Sequence, residues 1–355
     1  MAKRVTIQDI ADELGLSRNT VSKALNNSEG LAEATRQRII QKAAEMGYKQ
    51  FALINLMPAQ QRENAFIPNY LRENPERREV ALFSTTYLAA PHFSSLMLDA
   101  FQNNLALLGL TLNTHRVTPV NLESHTLPIT FDINRVAAII CIEMFDRSYD
   151  QMVCALGVPT LFVDAPPDLN GETLPCDQLI MENTSQVVKL VSEVLSRHHS
   201  QIGFIGNWEH CQSFYERYCA FRLAMTLNNA PVNENWLIPG NNMEEIHPPL
   251  SRLARENNLP ELFICANDFI ALDVMRSLYA LGLNVPNDIA LAGFDDSSGS
   301  RRCIPPLTTV HIHTQIMAYE AVRLLRSRME EPSLNFRRVY TETELIWRAS
   351  TSTLR

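Results

Sequence analysis

No stretch of this chain approaches the ~18–20 consecutive apolar residues that span a bilayer. The opening Met1-Ala2-Lys3-Arg4-Val5-Thr6 has no apolar signal-peptide core. The seven cysteines are odd in number and include no C-x-x-C pair. That argues against a disulfide framework and against the usual zinc spacings. A reducing cytoplasm is the expected setting, with Cys141 and Cys265 as small apolar strand residues. No G-x-S-x-G, P-loop or H-E-x-x-H occurs, and Gly293-Phe294-Asp295-Asp296 is no phosphate cradle. An enzyme, a cofactor and a metal are therefore not expected. His311 and His313 share a strand face, but no third ligand accompanies them. His198-His199 is placed to meet the carbonyls at a helix C-terminus. Solenoid repeats and low-complexity tracts are absent too.

What is present fits a globular protein of two or three domains: 355 residues, 46% hydrophobic and 20% charged. The formal charge of −8 is unevenly spread. Residues 1–50 hold eight basic and six acidic side chains, a net of +2, and the rest carries −10. A mildly basic head on an acidic body suits a protein that touches phosphates through its head alone, and a net of +2 calls for two heads acting together.

The head reads as three helices. Ile7, Ile10, Ala11 and Leu14 recur at helical spacing behind Thr6, an N-cap with Asp9 three residues on. Gly15 ends that helix and Ser17 can cap the next. There Val21, Ala24 and Leu25 point inward, leaving Arg18, Asn19, Ser22 and Lys23 outside. A third helix runs from about Ala34 to Met46, with Ile39, Ile40, Ala43 and Met46 inward and Gly47-Tyr48 as its stop. Helix, tight turn and helix with a polar outer face is helix-turn-helix geometry, suited to the major groove. A small bundle with solvated charges is the plainer alternative.

From Glu79 onward short apolar runs alternate with helical stretches. Strands are expected at Val80–Ser84, Leu110–Asn113, Val136–Ile142, Thr160–Val163, Ile202–Ile205, Leu262–Cys265 and Ile289–Ala292. Helices are expected at Phe93–Leu108, Asn183–Arg197, Phe214–Leu227, Asn267–Leu281 and Gln315–Met329. Strict alternation predicts parallel, doubly wound sheets, and this length predicts two α/β lobes with a ligand cleft at the strand ends. Pro58–Arg78 is polar with three prolines, an ordered linker or a pair of short helices.

With head and body in view, the chain resembles the lactose/galactose repressor (LacI/GalR) family of bacterial transcriptional regulators. The resemblance rests on VTIQDIADELGLSRNTVSKALNN and TRQRIIQKAAEMGY in the head. In the body it rests on IGFIGN, YERYCAFRLAM, FICANDFIALDVMRSL, VPNDIALAGFDDSS, IPPLTTV and TELIWRAS. It implies a helix-turn-helix domain at 1–50, a hinge and linker at 51–78, and a periplasmic-binding-protein-like effector and dimerisation domain at 79–355. Lobe 1 is expected at about 79–178 and 313–337, and lobe 2 at about 179–310 and 338–350.

The family's base-reading pair falls on Arg18 and Asn19, and its guanine-reading arginine on Lys23. Arginine and lysine donate to guanine O6/N7, and asparagine pairs with adenine N6/N7. Ser17, Thr20 and Ser22 would hold phosphates, and Thr6 and Asn26 complete the DNA-contacting set. In the hinge, Gln50-Phe51 replaces the family's Pro-Asn pair, and Met57 or Leu56 is the minor-groove wedge, or else the stretch is a plain apolar linker. The effector cleft maps onto His92, Phe93, Asp164, Arg217, Asn267 and Asp295, a set suited to a small polyhydroxylated ligand. Alanine at 220 replaces the glycine of the family's R-x-x-G-F stretch. Asp268 and Asp296 read better as N-caps than as ligand contacts. Asn267 serves as cap, contact or both, and Trp208 lines the cleft or covers a lobe edge.

The expected protein is thus a cytoplasmic, homodimeric or tetrameric repressor of carbohydrate-utilisation genes. It would bind a near-palindromic double-stranded operator and answer to a sugar-like effector. Control by a protein partner or a non-sugar metabolite is the alternative. A transport solute-binder would share the lobes but not the head.

Overall fold

Three helices share one apolar core near the N-terminus of the computed structural model, which describes residues 6–25, 31–46, 69–86, 93–169 and 171–354. The chain divides into two units, Met1–Ile67 and Pro68–Arg355. In the first, α1 (Ile7–Leu14) opens with a complete capping box. Thr6 Oγ1 accepts the Asp9 N–H at 3.2 Å, and Asp9 Oδ2 accepts the Thr6 N–H at 2.7 Å. Gly15 ends it in the left-handed region at φ 65°, where a side chain would be strained. Ser17 Oγ accepts the Thr20 N–H at 3.0 Å and so caps α2 (Arg18–Leu25). Ile10, Ala11, Val21, Ala24, Ile39 and Ala43 form the core with α3 (Glu33–Glu45). Lys42 pairs with Glu13 at 3.0 Å, and Arg38 donates to the Leu14 carbonyl at 3.2 Å, tying α3 to α1.

The second unit begins with α4 (Asn69–Glu73), within the polar stretch expected as linker; residues 58–68 of that stretch lie outside the described residues. Six parallel strands follow: β1 (Glu79–Ser84), β2 (Thr111–Arg116), β3 (Val136–Ile142), β4 (Thr160–Val163), β5 (Asp177–Met181) and β11 (Arg338–Thr341). Their order across the sheet is β11-β5-β4-β3-β1-β2. The second sheet holds β6 (Ile202–Ile205), β7 (Leu237–Ile238), β8 (Leu262–Cys265) and β9 (Ala290–Ala292) in the order β7-β6-β8-β9. β10 (Thr309–Ile312) pairs antiparallel with β12 (Thr343–Ile346), and bridges at Ala292–Thr308 and Asp295–His311 set it beside β9. Non-consecutive parallel neighbours require crossover helices, which cover the sheets as the alternating pattern anticipates. Among them are α5 (Phe93–Ala106), α6 (Pro119–Ser124), α7 (Arg147–Cys154), α8 (Ser185–Leu195) and α9 (Gln212–Leu227). Further along lie α10 (Met243–Arg255), α11 (Asp268–Ala280), α12 (Ser298–Arg302) and α13 (Thr314–Glu330). No helix among the described residues is long and apolar enough to cross a membrane.

The lobe boundaries differ from those expected. β5 spans the 178/179 limit, and β11, expected in lobe 2, pairs with β5 in the first sheet. Neither strand reads as apolar because their polar residues satisfy one another. Asp177 is 1% exposed and accepts from Arg328 at 2.8 Å and Arg337 at 2.9 Å. Gln178 accepts from Arg338 at 2.7 Å. The chain therefore crosses between lobes after β5, after β10 and between β11 and β12.

α7 carries a buried acid that the lobe does not neutralise. Asp150 is 0% exposed, and neither carboxyl oxygen has a hydrogen-bond partner among the described residues. Burial pushes its pKa up to about 8, with the charge of Asp146 adding to the rise and Arg147 opposing it. The folded lobe thus holds a proton that the unfolded chain gives up above its ordinary carboxyl range. Stability is lost as pH rises from about 4 to 8 and falls no further beyond that. Asp150→Asn removes the titration. Urea melts of parent and variant should diverge by up to about 4 kcal/mol between pH 5 and 8, the parent losing. Parallel curves would mean that the carboxyl is already ionised in the fold.

Candidate functional site

Successive residues on a helix are rotated by about 100°, so Arg18, Ser22, Asn19 and Lys23 span an outward arc of about 140° on α2. The burial agrees: Arg18, Asn19 and Lys23 are exposed, whereas Val21 and Ala24 are buried on the opposite side. Ser17 and Thr20 share a hydroxyl contact of 2.8 Å at the helix start, and Ser17 also caps it. Thr6 is committed to its own cap. Asn26, Leu56 and Met57 lie outside the described residues.

In the body, the carboxyl ends of strands from both sheets meet the start of α9 around one cavity of about 70 Å³. Glu143 follows β3, Asp164 follows β4, Asn267 follows β8 and Asp295 lies beyond β9, the end of a parallel sheet where ligands bind. Glu143, Asp164 and Asp295 hold positive φ values of 57°, 61° and 115°. Such backbone is strained for residues with a side chain and concentrates at functional sites.

Asp164 joins the lobes: its Oδ1 accepts the Ser213 N–H of α9 at 3.1 Å and the Ala165 N–H at 2.9 Å. Burial nevertheless pushes its pKa up, against those bonds and the pull of Arg217. Arg217 is 3% exposed; its Nε donates to Asn183 at 2.8 Å and its Nη1 to the Ala266 carbonyl at 2.7 Å. Phe294 covers its guanidinium at 3.5 Å, and Asp295 stands 3.8 Å from Nη1. Burial lowers the Arg217 pKa, with Asp295 opposing. Asn267 both lines the cavity and caps α11, accepting the Ile270 N–H at 2.9 Å.

Of the six expected effector residues, four thus converge: Asp164, Arg217, Asn267 and Asp295. His92 and the Phe93 side chain lie outside the described residues. Val163 and Met181, and Phe145, His210, Cys211, Ser213 and Phe214, also line the cavity and were missed, as was Asn183 behind Arg217. Glu143 was missed too, and it alone of the missed residues had the signal used for the others, a polar residue directly after an apolar run. His210 packs on Phe145 at 4.8 Å, and burial lowers its pKa.

Several side readings are settled by geometry. Trp208 stacks on Tyr218 at 4.4 Å and is not among the residues lining the cavity. Asp268 does not cap α11. It is 0% exposed and accepts from Thr309 at 2.6 Å and the Ser297 N–H at 2.7 Å. Asp296 joins Arg301, Arg348 and His311 in an ion cluster instead of capping a helix. His199 meets Glu261 at 3.0 Å and not a helix-end carbonyl. No group of three metal-ligating side chains occurs among the described residues.

Two family profiles match the chain: "Bacterial regulatory proteins, lacI family" over residues 6–50 and "Periplasmic binding protein-like domain" over residues 191–351. Curated relatives match it end to end. The HTH-type transcriptional repressor PurR of Haemophilus influenzae is 24% identical, over 98% of this chain and 99% of that protein. The HTH-type transcriptional regulator GalR of Lacticaseibacillus casei is 28% identical, over 97% and 99%. Among solved structures, a CelR–cellobiose complex superposes with a TM-score of 0.67 at 22% identity, covering 98% of this chain and 100% of that one. The lac repressor dimer bound to operator and the anti-inducer ONPF gives 0.65 at 23%, covering 98% and 99%. The structural likenesses establish the fold: a helix-turn-helix head and a two-lobed periplasmic-binding-like body.

Proposed function

The chain belongs to the lacI family of bacterial regulatory proteins and is a DNA-binding transcriptional repressor, and from that premise we propose how it reads DNA and what switches it. Two copies present their heads to the half-sites of a near-palindromic operator, because one head of net charge +2 gains too little from phosphates. Arg18, Asn19 and Lys23 read base edges, and Ser17, Thr20 and Ser22 set register on phosphates. Thr6 and Asn26 are proposed to complete the DNA-contacting set, and Leu56 or Met57 to supply the minor-groove wedge. A homodimer or tetramer acting in the cytoplasm completes the reading.

The regulatory half rests on one observation: side chains from both lobes converge on a single polar cavity. Asp164, Arg217, Asn267 and Asp295 offer a guanidinium, an amide and two carboxyls to a small hydroxyl-rich effector, and His92 and Phe93 are proposed beside them. The sugar bound to CelR makes a sugar-like effector and control of carbohydrate-utilisation genes the favoured form. Polar links beside the cavity join the lobes. Gln212 donates its backbone N–H to the Ala165 carbonyl at 2.8 Å, and Tyr340 donates to Glu216 at 2.8 Å. A ligand that binds two lobe arrangements unequally shifts their populations and hence operator affinity.

Lys23→Ala tests the reading head. Against the duplex that the full-length protein selects from a randomised library, affinity should fall by about 5–150-fold, the worth of one base-reading pair. Affinity for random DNA should barely change. Equal losses on both duplexes would make Lys23 a phosphate contact only.

A further inference from the structure

Behind the cavity, Glu216 of α9 gathers two of the segments that cross between the lobes. Its Oε1 accepts from Gln212 Nε2 at 2.9 Å and from the Tyr340 hydroxyl at 2.8 Å. Its Oε2 accepts from Asn183 Nδ2 at 2.8 Å. Gln212 lies one turn back on α9, Asn183 lies in the crossover after β5, and Tyr340 lies on β11 just before the last crossover. None of Glu216, Gln212, Asn183 and Tyr340 is among the residues lining the cavity.

Each donor to Glu216 is fixed from its other side. Gln212 Oε1 accepts the Asp168 N–H of lobe 1 at 2.9 Å, which turns the amide NH2 toward Glu216. Buried Asn183 accepts Arg217 Nε through its Oδ1 at 2.8 Å, which orients that amide in the same sense. Burial and the neighbouring Glu216 push the Tyr340 pKa up to about 12, so its phenol stays a donor. Polar groups paired in this way act as a unit and rigidify what they join. Thr341, next on β11, is buried, and its hydroxyl has no hydrogen-bond partner among the described residues. This lobe arrangement therefore carries an unmet polar group at the last crossover, a cost that the bonds to Glu216 offset.

We propose that Glu216, Tyr340 and Asn183 form a hinge clasp that holds the lobes in the arrangement seen here and so sets how readily they part. They are positioning residues, acting on the lobes and contacting neither cavity nor DNA. The inference rests on reading lobe movement as the switch.

Backbone hydrogen exchange in the full-length chain reads the clasp without any effector. Three N–H groups bond across the lobes: Gln212 to the Ala165 carbonyl at 2.8 Å, Ser213 to Asp164 at 3.1 Å, and Asp168 to Gln212. Gln212 and Ser213 lie in the first turn of α9, where an N–H has no partner within the helix. These amides exchange when the lobes part, at rates set by the open population. Tyr340→Phe keeps the ring and removes the hydroxyl. It should speed all three by about 3–10-fold, the range for one hydrogen bond at a residue 45% exposed, where water competes. Glu216→Ala should speed them at least as much, and adding Tyr340→Phe to it should change nothing more, because the bond is already gone. Tyr149→Phe is the control: its hydroxyl donates to the Thr126 carbonyl within lobe 1, and its loss should leave the three amides unchanged. Unchanged exchange in Tyr340→Phe, additive effects in the double variant, or equal acceleration by Tyr149→Phe each overturns the clasp. Tyr340→Phe and its control decide alone should Glu216→Ala unfold. The library-selected operator duplex, added to the parent, should alter exchange of the same amides, since coupling between sites is reciprocal. No alteration would take lobe movement out of DNA control and leave the clasp to be decided by Tyr340→Phe.

Discussion

Arg217→Ala should bind operator nearly as tightly as the parent and no longer respond to effector. The lost response is the whole coupling between sites, typically about 5–150-fold in DNA affinity. Arg217 is buried, holds Asn183 and the Ala266 carbonyl, and is the cation nearest to Asp295. Its removal takes from Asp295 the cation that stands 3.8 Å away and leaves α9 without its tie to the end of β8. Breaking a buried pair on one side costs about 3–5 kcal/mol, so the body should also melt earlier. The head keeps its own core and therefore its operator surface. Operator titrations with and without effector, below the melting range, separate the two outcomes. An intact response would take Arg217 out of the switch.

A loss of about 3–5 kcal/mol is likewise expected for Asp177→Ala, with a melting temperature lower by about 6–15 °C. Asp177 is 1% exposed and receives Arg328 Nη2 at 2.8 Å, Arg337 Nη2 at 2.9 Å and the Arg337 N–H at 2.8 Å. Burial alone would raise its pKa, but the hydrogen bonds from Arg328 and Arg337 hold it below the usual range. The stabilisation is therefore present above the ordinary carboxyl pKa and disappears as pH falls through the lowered one. Alanine leaves Arg328 buried and charged at the joint between β5 and β11. Scanning calorimetry at neutral pH measures the loss. A variant melting like the parent would show that water enters and pays that cost. The exposed Arg276–Asp273 pair provides a control whose loss should matter little.

Signals in the sequence were strongest where a structure closes on itself within a few residues. The head's capping box, glycine stop and apolar stripes each act over three or four residues, and its helices fall within a residue or so of their expected limits. Strands such as β3, β4, β6 and β8 are continuous apolar runs buried at every position, and they begin and end where those runs do. β5 and β11 escaped notice because Asp177, Gln178 and Arg338 look like loop residues until they meet across the sheet. α10 escaped because Pro248 and Pro249 lie inside it, where proline ordinarily breaks a helix. α7 offered only a mixed polar face, with Asp150 turned inward against every burial preference.

The cavity divides in the same way. Asp164, Asn267 and Asp295 are visible as polar residues just past apolar runs, and the family resemblance points to Arg217. His210 and Cys211 precede α9, and Ser213 lies in its first turn, which begins at Gln212, two residues before the Phe214 from which that helix was expected to start. Asn183 stands where a helix was expected to begin, two residues before α8, and nothing local to it signals its contact with Arg217, 34 residues on.

The amino-acid sequence by itself thus determined the reading head, the doubly wound class of the body and half of the cavity's polar residues. Those features follow from local periodicity, capping and the end of an apolar run. The tertiary structure alone decided which lobe owns residues 338–341, how Arg217 is spent on its own protein, and that Asp295 stands 3.8 Å from it. Each of these depends on groups dozens to more than a hundred residues apart being desolvated together, and only the folded chain brings them within hydrogen-bond range.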